Sequence, residues 1–271
     1  MNGNALKETA SRIRMDIVEM VHAAGSGHPG GSLSAADILS TLYFEKMNVD
    51  PQNPKKDDRD RFVLSKGHAA PVLYATLARR GYFNPEILKT LRVMGSILQG
   101  HPDMKKVPGV EFSTGSLGQG FSVSVGMALA NKIDNSDSKT YVLLGDGELN
   151  EGIVWEAAMA ASHYKLSNLT AIVDYNGLQI DGANEDVMDI RPLDAKWESF
   201  GWHVMIVDGH DHDALLKAYA QAETIDKPVV MIAKTIKGKG VSFMEDNAGW
   251  HGKAPNDSEL EQAMKELGGD K

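Results

Sequence analysis

Between Leu6 and Ala24 the apolar residues Leu6, Ala10, Ile13, Ile17, Met20, Val21 and Ala24 recur mostly at intervals of three and four. That spacing predicts an amphipathic helix. The glycine-rich stretch Gly25-Ser-Gly-His-Pro-Gly-Gly31 ends it. A second helix is expected from about Ser34 to Lys46, with Ser32 or Ser34 as its cap. A polar loop follows from Asn48 to Asp60, carrying two prolines and many charges.

Beyond this loop, short apolar runs alternate with helix-like segments. The strand candidates are 61–65, 140–144, 169–173, 203–207 and 228–232, each nearly all apolar rather than alternating. Such runs suit strands covered on both faces of a parallel sheet. Helices are expected over Ile153–Tyr164, Asp213–Ile225 and, at the end, Ser258–Leu267. The alternation predicts a doubly wound, mostly parallel α/β sheet with helices on both faces. Residues Phe121 to Met127 resist the method, because their apolar positions alternate with a period of two, like a strand.

Composition narrows the function. The chain has 271 residues, 42% of them hydrophobic and 24% charged, which is ordinary for a globular protein. At about 150 residues per domain, this length corresponds to one or two domains. A net charge of −9 argues against a nucleic-acid binder. No apolar run approaches the ~20 residues of a membrane span, and the first residues, MNGNALKETASRIR, lack an apolar secretory stretch. With no cysteine, disulfides, thiolate nucleophiles and cysteine-ligated metals are excluded. These features fit a cytoplasmic enzyme.

In open α/β sheets ligands bind beyond the carboxyl ends of the strands. Gly145-Asp146-Gly147 follows one predicted strand, and Asp174-Tyr175-Asn176-Gly177 follows the next, some thirty residues later with one helix between. A carboxylate and an amide oxygen at neighbouring strand ends can share a hard divalent cation such as Mg²⁺. Four histidines lie in small-residue loops: His28, His68, His101 and His251. Imidazole donates, accepts and titrates near neutrality, which suits hydroxylated substrates and developing alkoxides. Other signals are weaker. His210-Asp211-His212-Asp213 lies between a strand and a helix, where aspartate commonly caps. The basic run Lys234–Lys239 reads as a mobile loop near the same crevice. The methionines are mostly core candidates, and Ser65 and Ser113 have no Ser-His-Asp context.

Taken together, the stretches SGHPGGSLSAADIL (26–39), RFVLSKGHAAPVLYA (61–75), QGHPD (99–103), STGSLGQGFSVSVGMALA (113–130), GDGELNEGIVWEAAMAA (145–161), VDYNGLQIDG (173–182) and KGKGVSFMEDNAGWHG (237–252) resemble the thiamine diphosphate-binding domain of transketolases. The resemblance runs through essentially the whole chain, 1–271, as one such domain with a helical N-terminal region over about 1–60. It implies a helix at 121–127. It further implies that Asp146, Asn176 and the Leu178 carbonyl hold Mg²⁺ (or Ca²⁺ or Mn²⁺). Gly147, His68 and His251 would contact the diphosphate, with Gly145 and Glu148 in the same turn. Gly115, Ser116 and Leu117 would lie along the aminopyrimidine. His28, His68, His101 and His251 would surround the reactive carbon and the sugar, with His28 and His251 stabilising oxyanions. Glu151 and Glu156 match acids near a subunit interface. Either they relay protons between sites or they are helix-start charges favoured by the dipole.

Transketolases are usually well over twice this length. Their pyrimidine-binding domain supplies the glutamate that protonates the cofactor and most contacts to the sugar phosphate, and a C-terminal domain follows. Neither has a counterpart here, and the closing Gly-Gly-Asp-Lys reads as a polar tail. The resemblance therefore implies one half of a split transketolase. With a second chain, as a dimer of heterodimers, it would transfer a ketol unit between sugar phosphates of pentose phosphate metabolism. The alternatives are a ketol transferase for a modified sugar, a 2-oxo acid dehydrogenase α-like subunit or a non-catalytic cofactor-binding subunit. A nicotinamide-dependent dehydrogenase would need the G-x-G-x-x-G fingerprint, and none opens a helix here.

Overall fold

The computed structural model describes residues 3–268, so the first two residues and the tail from Gly269 onward lie outside it. The chain opens with α1 (Gly3–Ala24), α2 (Gly30–Leu33) and α3 (Ala36–Thr41). The first strand, β1 (Arg61–Leu64), leads into α4 (Ala70–Arg80), α5 (Gln119–Ile133), β2 (Thr140–Gly145), α6 (Gly152–His163) and β3 (Leu169–Tyr175). A small hairpin of β4 (Leu178–Gln179) and β5 (Gly182–Ala183) precedes α7 (Asn184–Val187) and α8 (Leu193–Ser199). The chain then runs through β6 (His203–Asp208), α9 (His212–Ala222), β7 (Val229–Lys234) and α10 (Asp257–Glu266).

Five strands form one sheet in the order β1-β2-β3-β7-β6, every neighbouring pair parallel. This is the doubly wound α/β architecture that the apolar runs predict. Successive strand residues feed opposite cores. Phe62, Tyr141, Leu143, Ile172 and Met231 pack under α1, α3 and α4. Val63, Val142, Leu144, Val173 and Val230 pack with Phe121, Trp197 and Trp202 on the other face. The edge strand β6 departs from expectation. At the end of the strand order, its burial alternates: Met205 and Val207 are covered, while Ile206 is 58% exposed.

The strand-like alternation at 121–127 belongs to α5. There the buried set is Phe121, Ser124, Val125 and Ala128, a helical period. Gly118 starts this helix at φ +78, and a Cβ there would lie 2.5 Å from the Ile153 side chain, so the turn requires glycine. The helix expected over 34–46 begins earlier and is interrupted, as α2, α3 and a wider turn at Leu42–Lys46. Neither Ser32 nor Ser34 caps it. The Ser32 hydroxyl donates to the His28 carbonyl, and Ser34 is drawn to Asp174 at 2.5 Å. The expected cap at the 210–213 turn is present, with Asp211 accepting from the amides of Asp213 and Ala214.

Trp202 is buried against Phe121 and Trp197, and its indole N–H donates to the Ala158 carbonyl at 3.0 Å. Trp202→Ala is expected to cost about 3–5 kcal/mol, read as a lower denaturant midpoint with the slope unchanged.

Candidate active site

The parallel register aligns Gly145 with Asp174, and Asp174 with Ala233. The chain therefore leaves the sheet together at 146–148, 175–178 and 234–237, on the edge where the 65–69 turn also ends β1. An open cleft lies there.

Two buried carboxylates build its frame. Asp174 is fully buried and accepts from the Lys66 ammonium, from Ser34 and Thr235 hydroxyls, and from the Asn176 amide at 3.4 Å. Burial alone would raise its pKa; the Lys66 charge and these hydrogen bonds hold it below the usual carboxylate range. Glu148 does the equivalent work between β1 and α5. Its oxygens accept from Ser65 Oγ at 2.5 Å and from the amides of Gly118 at 2.7 Å and Gly145 at 3.0 Å. Although it borders the cleft, its carboxylate is engaged by the protein itself.

Asp146 differs. It accepts only backbone hydrogen bonds, from Gly147 at 2.8 Å and Gly177 at 2.6 Å. Burial, and then the charge of Asp174, push its pKa up to about 6. Asn176, just before β4, accepts at Oδ1 from the Leu178 amide at 3.2 Å. The Leu178 carbonyl accepts from Lys237 Nζ at 3.2 Å. Among the described residues no cluster of three His, Cys, Asp or Glu side chains stands ready for a metal. The donors gathered here are instead one carboxylate, one amide and one carbonyl, a hard-oxygen set of the kind Mg²⁺ takes alongside phosphate oxygens.

Facing these oxygens is a group of basic side chains. His28, His68 and His251 form a triad with ring centroids 5.3, 5.3 and 5.1 Å apart. Lys237 Nζ lies 3.2 Å from His251 Nδ1. Burial, then Lys66 and the other imidazoles, push His68 down to about 2. Burial and Lys237 push His251 down to about 4, and burial lowers His28 as well. Lys237 is brought down to about 8, mainly by desolvation. His28 Nδ1 is buried without a hydrogen-bond partner. So many cationic and donor groups, each disfavoured in its charged form, make a cradle complementary to an anion. Gly147 lets the chain approach closely here, since a Cβ would stand 3.1 Å from Gln179 Cβ.

The structure thus brings His28, His68, His251, Asp146, Gly147, Asn176, Leu178 and Leu117 to one cleft. His101 stands apart from the triad, exposed, with its ring 3.2 Å from where a Gly115 Cβ would be. Ser116, Glu151 and Glu156 are exposed, and Glu151 caps nothing with its side chain. Sequence reasoning missed Lys66, Gln179, Ile180 and Lys237 as cleft residues. It also misjudged the 234–239 run. Lys237 is 2% exposed, and the segment is tied down by bonds from the Thr235, Ile236 and Gly238 amides to Tyr175, His210 and Gly30. The signal was present in Lys237-Gly238-Lys239-Gly240, where positive-φ glycines at 238 and 240 bracket tight turns rather than slack chain.

This fold and this cleft define an α/β protein whose strand ends gather oxygen donors opposite a set of basic side chains. A family model for the transketolase thiamine diphosphate-binding domain matches residues 5–271. The chain is 46% identical over 268 residues to an apulose-4-phosphate transketolase subunit of Phocaeicola vulgatus, covering 98% of this chain and 95% of that one. It is also 46% identical to a 6-deoxy-6-sulfo-D-fructose transketolase subunit of a Clostridium species, covering 97% and 96%. Human transketolase is 47% identical over 97% of this chain, which spans 42% of the human protein. A transketolase structure from Campylobacter jejuni superposes with a TM-score of 0.94 at 37% identity, over 99% of this chain and 43% of that one. The chain belongs to the transketolase family, as its thiamine diphosphate-binding domain.

The imidazoles carry a stability signature. His68 and His251 resist protonation in the fold relative to their ordinary value of 6.5. The unfolded chain therefore takes up those protons first, and stability declines as pH falls below 6.5, with the His251 share complete near pH 4. Asp146, whose pKa is raised, acts in the opposite sense as pH falls from about 6. His68→Asn is expected to flatten the decline in melting temperature between pH 7 and 5. An unchanged slope would show that His68 is not held neutral.

Proposed function

We propose that this chain is the cofactor-binding half of a two-chain transketolase, active with a partner that carries the pyrimidine-binding and C-terminal domains. The observation that carries the reading is the convergence, on one cleft, of a cation-seeking oxygen set and an anion-seeking basic set. That pairing matches a magnesium diphosphate. The near-complete coverage of the two relatives named as subunits, against 42% of the human protein, supports the need for a partner.

In this reading the side-chain oxygens of Asp146 and Asn176 and the Leu178 carbonyl hold Mg²⁺, with Ca²⁺ or Mn²⁺ as substitutes. The Lys237 ammonium, which donates to the Leu178 carbonyl at 3.2 Å, would turn to phosphate oxygens once that carbonyl held a metal ion. His68, His251 and the Gly147 amide complete the diphosphate cradle, beside Gly145 and Glu148. Gly115, Ser116 and Leu117 line the pyrimidine side. When bound, thiamine diphosphate supplies the electron sink that lets a carbon–carbon bond next to a carbonyl break and re-form. The chain's own residues orient and stabilise: His28 and His251, neutral and hydrogen-bearing, donate to the oxygen that gains negative charge, and His101 holds a donor hydroxyl at the rim. Glu151 and Glu156, exposed on and before α6, lie where a second protomer would meet the site in a dimer of heterodimers. The whole chain acts as one cofactor-binding unit, in the cytoplasm.

The substrate reading is transfer of a two-carbon ketol unit from a ketose phosphate to an aldose phosphate. A modified sugar as donor is the second reading, favoured by relatives named for apulose 4-phosphate and 6-deoxy-6-sulfo-D-fructose. The complex of this chain with its partner, given thiamine diphosphate and Mg²⁺, is expected to turn over xylulose 5-phosphate with ribose 5-phosphate or one of the modified sugars, and not a 2-oxo acid. Cofactor binding without turnover on any sugar would reduce the chain to a binding subunit. Asp146→Ala is expected to abolish magnesium-dependent cofactor binding by calorimetry. His28→Ala is expected to lower kcat by about a hundredfold or more while leaving cofactor affinity within a few-fold, the usual effect of losing one oxyanion donor.

A further inference from the structure

His210 stands outside the cleft, in the link between β6 and α9, and no role described above uses it. Its surroundings are nonetheless built. Asp37 is 5% exposed and receives two guanidinium hydrogen bonds from Arg14, one of them at 3.1 Å to Oδ1. His210 Nδ1 lies 2.7 Å from Asp37 Oδ2. On the opposite edge of the ring, the backbone N–H of Ile236 donates to Nε2 at 2.9 Å. An imidazole that accepts at Nε2 and faces a carboxylate at Nδ1 carries its proton on Nδ1. His210 thus bridges the buried Arg14–Asp37 pair and a loop backbone 26 residues away in sequence.

The next residue in that loop is Lys237, whose ammonium reaches the Leu178 carbonyl and His251 in the cleft. Around it the Thr235 amide donates to the Tyr175 carbonyl, the Lys239 amide to the Ile236 carbonyl and the Asp246 amide to the Lys237 carbonyl, and three more bonds tie the segment to its surroundings. Thr235 is held by Asp174, Gly238 donates to the Gly30 carbonyl at 3.0 Å, and Ile236 is held by His210. The first two belong to segments that build the cleft itself. The third is the only one of these three supplied by a side chain remote from it. His210 holds the N–H of the 235–236 peptide, and Nζ of the next residue sits at the end of four methylenes, so a small tilt of that peptide is passed on as a larger displacement of the charge.

The geometry points to His210 as a positioning residue that holds Lys237 in register with the phosphate cradle, acting through the Ile236 amide and braced by Asp37. This rests on reading the cleft as a diphosphate site, so the test separates the two ideas. The full chain, with and without its partner, is treated with a small amine-acylating reagent, and labelling of each lysine is followed by mass spectrometry. Lys237 and Lys66 are equally buried, at 2% exposed, but Lys66 is held by Asp174 and serves as the internal control. His210→Ala is expected to speed labelling of Lys237 severalfold and leave Lys66 unchanged. His210→Gln, whose amide offers one donor and one acceptor, is expected to restore protection. Thiamine diphosphate affinity, measured by calorimetry with Mg²⁺, is expected to weaken about fivefold to tenfold in His210→Ala, the effect of one hydrogen bond, and to recover in His210→Gln. Equal acceleration at both lysines would show a general loosening of the fold, and no acceleration at Lys237 would show that the anchor does not matter; either overturns the proposal. Selective acceleration at Lys237 in His210→Ala, with a wild-type complex that binds no thiamine diphosphate, would keep the positioning role and sink the cofactor reading instead.

Discussion

A single buried charge organises the sheet edge on which everything else is mounted. Asp174 ends β3, the middle strand, where no solvent reaches it. A carboxylate in that position is tolerable only if it is fully paired. The pairing recruits Lys66 from beyond β1, Ser34 from between α2 and α3, and Thr235 from beyond β7. Segments far apart in sequence are thereby fixed relative to one another within hydrogen-bond tolerance. Glu148 repeats the device between β1, β2 and the start of α5. By residue type both acids resemble catalytic groups, yet their hydrogen bonds serve the architecture.

That arrangement isolates Asp146. With Asp174 and Glu148 satisfied by cationic, hydroxyl or amide donors, Asp146 is the acid at this edge that has only two backbone amides and no cation hydrogen-bonded to it. The nearby Asp174 charge makes its ionised form costlier still. In the proposed function, this carboxylate, with an amide oxygen and a carbonyl beside it, is where a positive charge from outside would be held. The same logic with opposite sign applies across the cleft, where Lys237 and three imidazoles are crowded and desolvated.

How legible was this in the chain? The five strands were readable because burial on both faces demands unbroken apolar runs, and the exception, β6, is an edge where only alternate residues are covered. The Gly-Asp-Gly turn, Asn176 and the glycine-flanked histidines were readable because chemistry at strand ends concentrates in small-residue loops. What periodicity missed was set by tertiary partners. Valines at every second position made α5 look like a strand until Phe121, Ser124, Val125 and Ala128 are seen to share one face. Ser34 looked like a cap, but an acid 140 residues away offers it a stronger bond. Lys237 looked like part of a mobile basic loop near the crevice, since no apolar periodicity marks its stem as covered; Lys237 is 2% exposed, and its head donates to a carbonyl.

The distribution of burial divides the site in two. The floor, with Asp146, Lys237 and the frame of Asp174 and Glu148, is buried by this chain's own contacts, and His68 is half-buried beside it. The residues proposed for its rim, His101, Ser116 and Glu151, are exposed to solvent. A polyanion bridged by a cation can be recognised by the floor alone, because each of its charges meets a group already in place. Discriminating one sugar from another requires enclosure, since hydroxyl recognition is weak wherever water can replace the protein donor. Under the proposed function, affinity for the cofactor rests on this floor, and substrate choice falls to whatever surface covers the rim.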